Sequence, residues 1–490
     1  MPKNNFVFLT FLMILSISLM PFMEFRALAQ ANKPVSSETV PDTSSETDTD
    51  EEEDGFDAEF EDEFGDAEKE VFDPLSGYNI VMTNFNDGFY IFVLDPVARG
   101  YRWVLPDTAR RGVKSFFHNL LFPLRFVNNA LQLKVKNAGE EFLRFSINST
   151  IGILGFWDPA KEWFGLEAHE EDFGQTLGFY GVGGGFHVVL PFLGPSNVRD
   201  MFSLYPDMQM DPVNYVETRP YNFPKQEGEY LGVSRQTLQK TELTLLKTIN
   251  RESLRIGQYE NLKKDAIELY PFLRDVYEQN RAKLIMQIIN KKIMYRTLIS
   301  LFAVFFAAAT LSADEVNEIR AMTKEKVDLV IQTLKDTSLS KKEKKEGILK
   351  TIDGLFDFNL MARLSLGKEN WKPLSKSKRK EFSKLFVERL KQSYLDKLDL
   401  YTDEEVVVGE AKQTKKNRVE VLTFLVSKDD KKEMTYKLYK SKKKGWLVYD
   451  VVVLGVSIVA TYRSQFSGIL KKGSMEQLLE RMRSTGELGS

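Results

Sequence analysis

The sequence predicts a mainly helical module followed by an α+β module with an antiparallel sheet. Three observations carry this expectation. Charge is split along the chain: residues 314–490 hold 37 Lys and Arg against 27 Asp and Glu, whereas the whole chain has a net charge of −3. Opposite charge balance in two halves marks separate modules. The hydrophobic period changes from helical spacing to alternation after about Ser393. A signal-like apolar segment stands before each module.

Composition narrows the function classes. With 490 residues, 43% hydrophobic and 28% charged, the chain is long enough for about three domains. It lacks the several apolar runs of about 20 residues that a polytopic membrane protein needs. It contains no Cys, which excludes disulfides, thiolate metal sites and cysteine nucleophiles. Three His and 36 Phe point toward apolar matter rather than histidine chemistry.

Along the chain, Lys3, an apolar run from Phe6 to Met20, and Ala27-Leu28-Ala29 read as a signal peptide over 1–29, with a transmembrane anchor as the alternative, for which the apolar run is short. Residues 30–70 form an acidic linker, with 16 acidic residues between Asp42 and Glu70. Such a tract buries too little apolar surface to fold alone. Within it Phe56, Phe60 and Phe64 recur every four residues, the spacing of a short partner-binding helix.

The first module spans 71–285. Over 115–133, Phe116, Phe117, Leu120, Leu121, Leu124, Val127, Ala130 and Leu131 follow helical spacing, and Phe122 and Phe126 widen the face. Pro123 is expected to kink this helix. Two readings stay open: a core helix, or a helix lying in a membrane with its aromatic face in lipid. The block 173–200 is rich in Gly and aromatics. Its Gly181-Val-Gly-Gly-Gly-Phe186 begins like a dinucleotide fingerprint but has Phe where the third Gly is required.

Residues 286–313 combine Lys291, Lys292 and Arg296 with an apolar run ending in small residues. They read as an internal signal sequence cut near Ala313, a retained membrane anchor, or a buried helix. The second module, 314–486, has amphipathic helices to Ser393. Strands follow at 406–408, 418–426, 433–439 and 445–454, then helices at 457–470 and 474–483. A curved sheet with helices across one face leaves an apolar cavity between them.

Catalytic motifs are missing. There is no His-Glu-x-x-His and no Gly-x-Ser-x-Gly. Glu167, His169, Glu170, Glu171 and Asp172 cluster, but with one His they are expected to form a solvated turn rather than a metal site. The runs Lys341–Lys345 and Lys442–Lys444 lack interleaved aromatics, so no nucleic-acid partner is expected.

Eight stretches of the first module stand out: Asp73-Pro-Leu-Ser-Gly-Tyr-Asn79, Met82-Thr-Asn-Phe-Asn86, Asp95-Pro96, Phe145-Ser-Ile-Asn-Ser-Thr-Ile-Gly-Ile-Leu-Gly-Phe-Trp-Asp158, Phe173-Gly-Gln-Thr-Leu-Gly178, Tyr180-Gly-Val-Gly183, Leu190-Pro191 and Arg199-Asp200. Through them the first module resembles the MlaA (VacJ) family. Through Trp446-Leu-Val-Tyr-Asp450, Gly455-Val-Ser457 and Ser464-Gln-Phe-Ser-Gly-Ile-Leu-Lys-Lys-Gly473 the second resembles the MlaC family. The first resemblance implies a membrane-embedded helical ring in the inner leaflet of the outer membrane of a diderm bacterium. Such a ring is held by a trimeric porin and has a central channel for phospholipid. The second implies a periplasmic carrier that holds acyl chains and meets an inner-membrane lipid transporter complex. Neither implies a catalytic residue or a cofactor; phospholipid is cargo. One departure is that MlaA proteins are normally lipoproteins, whereas this chain has no Cys.

The carrier pocket is then expected to be lined by Leu360, Leu385, Val419, Val421, Met434, Tyr436, Val448 and Val452. Phe116, Phe117, Phe122 and Pro123 are expected to face lipid. Gly181, Gly183, Gly184 and Gly185 would shape the channel, which Asn84 and Phe85 help close. A non-transporting adaptor between porin and membrane is the alternative, and it predicts a packed second module.

Overall fold

The computed structural model describes residue 60 and residues 72–215, 235–298, 313–398, 405–426 and 431–487. The expected signal peptide over 1–29, the expected linker apart from Phe60, and residues 299–312 of the expected internal segment lie outside these.

The N-terminal domain is helical. It comprises α1 (Ser76–Phe89), a π-helical turn (Tyr90–Leu94), α2 (Asp95–Val104), α3 (Asp107–Leu120), α4 (Phe122–Leu131), α5 (Val135–Thr150), α6 (Pro159–Glu162) and α7 (Phe173–Phe179). A hairpin, β1 (His187–Leu190) and β2 (Gly194–Asn197), leads into α8 (Val198–Met210), α9 (Arg235–Ser253), α10 (Gln258–Asp265) and the long α11 (Leu269–Leu298). The expected kinked helix over 115–133 is two helices. Pro123 sits in the first turn of α4, where its missing N–H leaves no bond unmade. Residues 286–298 of the expected internal segment continue α11. Among the described residues, no helix is long and apolar enough to cross a membrane.

The C-terminal domain is α+β. The helices are α12 (Ala313–Lys335), α13 (Lys341–Leu355), α14 (Phe358–Leu366), α15 (Lys368–Trp371) and α16 (Lys376–Leu398). They precede β3 (Glu405–Lys415), β4 (Arg418–Val426), β5 (Lys431–Ser441), β6 (Gly445–Val453) and β7 (Val456–Ser457), and α17 (Ile458–Leu470) and α18 (Met475–Glu487) close the domain. The strands form one antiparallel meander in sequence order. A capping box of Ser340 and Glu343 starts α13, and Ser457 caps α17 through the Ala460 N–H.

Both faces of this sheet are covered. Val419, Val421, Leu438, Val448 and Val451 pack with Ile319 of α12 and Leu355 of α13. Tyr439, Leu447 and Tyr449 pack with Leu360, Met361, Phe382, Phe386 and Phe466 from α14, α16 and α17. Phe60, from the acidic tract expected to be a linker, is fully buried in that second cluster. The space between sheet and helices is filled by side chains, and no open apolar cavity lies there among the described residues.

Candidate functional site

The N-terminal domain is largely inverted relative to a water-soluble globule. Much of its interior is polar, beside a small apolar cluster of Tyr78, Val188 and Leu190. Arg125 donates from Nε to Glu141 at 2.7 Å, with side chains 3% and 0% exposed. Glu141 also accepts from the His169 N–H at 2.6 Å. Arg144 and Asn148 both donate to Asp158, at 2.7 and 2.8 Å. Asn128, Gln132 and Thr176 join in a buried chain of hydrogen bonds. Its exterior is apolar: Phe92 is 80% exposed, Trp103 89% and Val135 77%, and Phe142, Ile153, Trp163 and Phe202 are exposed as well. In water that arrangement pays twice, through desolvated charge and hydrated hydrocarbon.

The stretches that carry the family likeness build this polar frame. Asn79 on α1 donates to the His187 carbonyl at 3.1 Å and accepts from Val189 N at 2.8 Å. Asn86, two turns on, donates to the Leu190 carbonyl at 2.9 Å and accepts from Phe192 N at 2.7 Å. The two amides staple α1 along the β1–β2 hairpin. Gly174 and Gly178 let α11 approach α7: a Cβ at the first would lie 2.7 Å from Arg281 Nη2, and one at the second 2.7 Å from Ile285 Cδ1. Arg281 of α11 bridges Asp172 at 2.6 Å and Asp200 at 2.8 Å. Burial raises the Asp200 carboxyl, but hydrogen bonds from Arg281, Arg199 and Tyr277 outweigh it and hold the group at about 2.

Asp207 behaves oppositely. Burial, aided by the charges of Asp172 and Asp200, pushes it up to about 7, against a hydrogen bond from Phe173 N and the charge of Arg281. A raised carboxyl pKa favours the folded state at low pH, and that gain is lost as pH rises from about 4 to about 7. Asp207→Asn keeps an acceptor for Phe173. It should raise stability by on the order of 2 kcal/mol at pH 8 and leave it unchanged below pH 4. Unfolding midpoints at the two pH values check this; equal gains at both would contradict it.

The expected membrane and channel residues do not converge on one point. Phe85 is exposed and edges onto Phe192 at 5.1 Å. Phe116 stacks on Phe156 at 4.9 Å. Phe117 is buried, which corrects its expected place facing lipid; Phe116, the residue before it, is half-buried. Phe122 stacks on Phe145 at 4.4 Å, with Pro123 beside it on the same first turn. Gly181 and Gly185 have positive φ in the turn before β1. Gly184 accepts from the Arg199 N–H through its carbonyl, and Gly183 is exposed. Asn84 lines a cleft of about 1380 Å³ between the domains, with Asp73, Ile80 and Arg274 on one side and Lys437, Arg463 and Lys471 on the other.

In the C-terminal domain, Val419, Val421, Met434, Tyr436 and Val448 share one sheet face. Val452 turns to the other, because a bulge between Lys437 and Leu438 shifts the β5–β6 register by one and reverses which residues face inward. Leu360 and Leu385 belong to the cluster on that opposite face. The acidic cluster near His169 is used in pairs: His169 with Glu140 at 2.5 Å, and Glu171 with Lys134. Among the described residues no group of three or more such side chains could hold a metal.

Helix α11 also joins the domains. Gln279 donates to Thr461 at 3.2 Å and accepts from Ser457 N at 2.9 Å. Lys283 pairs with Glu433 at 2.7 Å, and Asn280 donates to the Leu454 carbonyl at 2.8 Å.

Comparison with known proteins assigns both halves. Residues 71–284 match the model of the MlaA lipoprotein family, and residues 324–484 match that of the MlaC protein family. An uncharacterised protein of Rickettsia bellii is 37% identical over 148 residues, covering 30% of this chain and 58% of that protein. The intermembrane phospholipid transport system lipoprotein MlaA of Escherichia coli is 40% identical over 133 residues, covering 26% of this chain and 52% of that one. The chain thus spans a little over half the length of these relatives. Among solved structures, a phospholipid-binding protein from Ralstonia solanacearum in complex with a phospholipid is 21% identical, with a TM-score of 0.32, covering 35% of this chain and 98% of that one. A chain from a structure concerned with maintenance of bacterial outer membrane lipid asymmetry is 26% identical, with a TM-score of 0.37, covering 44% and 98%. Both families are non-enzymatic transport proteins. The chain joins an MlaA domain, residues 71–284, to an MlaC domain, residues 324–484.

Proposed function

We propose that this protein moves phospholipid through the cell envelope of a diderm bacterium and so maintains outer-membrane lipid asymmetry. The MlaA domain sits as a ring in the inner leaflet of the outer membrane, held by a trimeric porin, and passes phospholipid through a channel. Asn84, Phe85 and the turn from Gly181 to Gly185 are the candidates for shaping that channel. The MlaC domain takes the acyl chains between its sheet and helices and delivers them to an inner-membrane lipid transporter.

The observation that carries this reading is the inverted polarity of the first domain: buried Arg125–Glu141 and Arg144–Asp158 pairs under an exterior of Phe92, Trp103 and Val135. That pattern suits an apolar surrounding. A carrier is needed on physical grounds. Two acyl chains hold on the order of 30 methylenes, each costing about 0.8 kcal/mol to expose.

The adaptor reading draws on one observation, the filled interior of the second domain. A transfer assay separates the two. Full-length protein should speed the movement of labelled phospholipid from donor to acceptor vesicles severalfold. Tyr436→Trp, on the face shared by Val421 and Val448, should reduce that rate. Protein that binds vesicles yet moves no lipid would favour the adaptor.

A further inference from the structure

One end of the C-terminal sheet concentrates positive charge. The β3–β4 and β5–β6 turns lie side by side there, since Lys440 N donates to the Asn417 carbonyl at 2.9 Å. Residues 412–418 and 440–445 hold seven Lys and one Arg, with no Asp or Glu. All seven lysines are exposed: Lys412, Lys415 and Lys416 at the first turn, Lys440 and Lys442 to Lys444 at the second. Lys440 pairs with Glu315 at the start of α12, at 2.5 Å. Glu420 lies further down β4, across from Lys412 and Lys437. Among the described residues no ion pair ties Lys412, Lys416, Lys442, Lys443 or Lys444.

Such a cluster has a cost. A tight turn asks for Gly, Asn or Asp, and successive lysines beside Lys416 repel one another. None is buried, so packing does not demand them. The lysines that open α13 differ, because Glu343 and Glu346 are interleaved with them and Lys342 reaches Glu346 at 3.9 Å. Position matters too. Where α11 touches the sheet, through Lys283 to Glu433 and Asn280 to the Leu454 carbonyl, it does so at the other end. From Glu433 to Ser441, β5 runs about 25 Å at roughly 3.3 Å per residue.

A polyanionic partner removes the repulsion. Protein interfaces are depleted in Lys and built round an apolar or aromatic centre, whereas the exposed charges here are all Lys. Hydrated point charges on flexible stems suit the diffuse field of anionic headgroups. Half-buried Trp446 stands across from Lys440, whose ammonium is 5.9 Å from the ring centroid, and an indole beside lysines suits headgroup depth. We propose that the tip bearing Lys416 and Lys442 to Lys444 docks on an anionic phospholipid surface, as a membrane contact separate from the apolar exterior of the MlaA domain. The contact acts through charge and stands whether or not the domain carries lipid.

The chain has no Cys, so Thr414→Cys, exposed beside the tip, offers a single site for the polarity-sensitive dye NBD. Labelled full-length protein is mixed with vesicles of phosphatidylcholine alone or with phosphatidylglycerol, and the apolar exterior carries it to both. NBD emission should rise severalfold on phosphatidylglycerol only. Salt at roughly 0.5 M should reverse the rise while the protein still floats with the vesicles. Lys442→Gln, Lys443→Gln and Lys444→Gln together should lower the ratio of docked to free tip on the order of 100-fold and so remove the rise. The same loss of charge at Lys341, Lys342 and Lys345 should lower it by no more than about threefold. Equal losses from the two sets would mean that net charge alone acts, and would overturn the tip as a site. No rise on phosphatidylglycerol would overturn the membrane partner, and a rise with polyglutamate in its place would assign the tip to an acidic protein.

Discussion

Glu141→Ala is expected to destabilise the MlaA domain by about 3–5 kcal/mol, the cost of leaving one buried charge without its partner. Arg125 would then keep only the His118 carbonyl, to which it donates at 2.7 Å, and the His169 N–H would lose its acceptor. Arg125→Met with Glu141→Leu should recover most of the loss, because similar volume is restored and no charge remains to desolvate. Denaturant titration of the full chain in mild detergent, following the first domain's transition, measures both. A loss under about 1 kcal/mol for Glu141→Ala would mean that water reaches the pair and that the interior is not the dry polar core described here.

Phe92→Asp combined with Trp103→Asp is expected to weaken partition onto vesicles of phosphatidylethanolamine and phosphatidylglycerol by roughly 100- to 10,000-fold. Each side chain contributes about 1.5–3 kcal/mol when moved from water into hydrocarbon, and tenfold in partition corresponds to about 1.4 kcal/mol. Both are more than three-quarters exposed. Without lipid, the same substitutions should therefore change stability by no more than about 0.5 kcal/mol. Flotation assays report the partition. Unchanged flotation would place the apolar exterior against protein instead of lipid.

These two expectations rest on what helical periodicity can and cannot reveal. Over 115–133 it separates an aromatic face from one bearing Arg125, Asn128, Asn129 and Gln132. It does not say which face meets solvent. By default the apolar face is placed inside, yet from Phe122 to Gln132 the buried residues are Arg125, Asn128, Asn129 and Gln132, and Leu131 is exposed. The clue was available, since four large polar residues on one face are costly to bury unless partners from other elements meet them. Those partners, Glu141, Glu171 and Thr176, come from α5, α7 and the loop between them, and local sequence does not bring them together.

The sheet shows similar limits. Its meander was legible from alternation and polar turns. The second half of β3 was not, because 409–415 is polar and Lys-rich. Among the described residues it pairs with β4 alone, and such composition suits an edge strand that must not recruit further strands. Val452 was misplaced because one bulge reverses the alternation. Phe60 was noticed for its spacing, but its seat against Tyr439 and Tyr449 is a long-range contact that no local pattern encodes.

The most direct test of phospholipid carriage is a native mass spectrum of the full chain, purified in mild detergent from the envelope of a diderm host. A reproducible adduct of phospholipid mass is the predicted result, identified as intact phospholipid after extraction and absent from a Tyr436→Trp variant of equal stability. Folded protein that stays lipid-free across preparations would contradict the account and leave an envelope adaptor in its place.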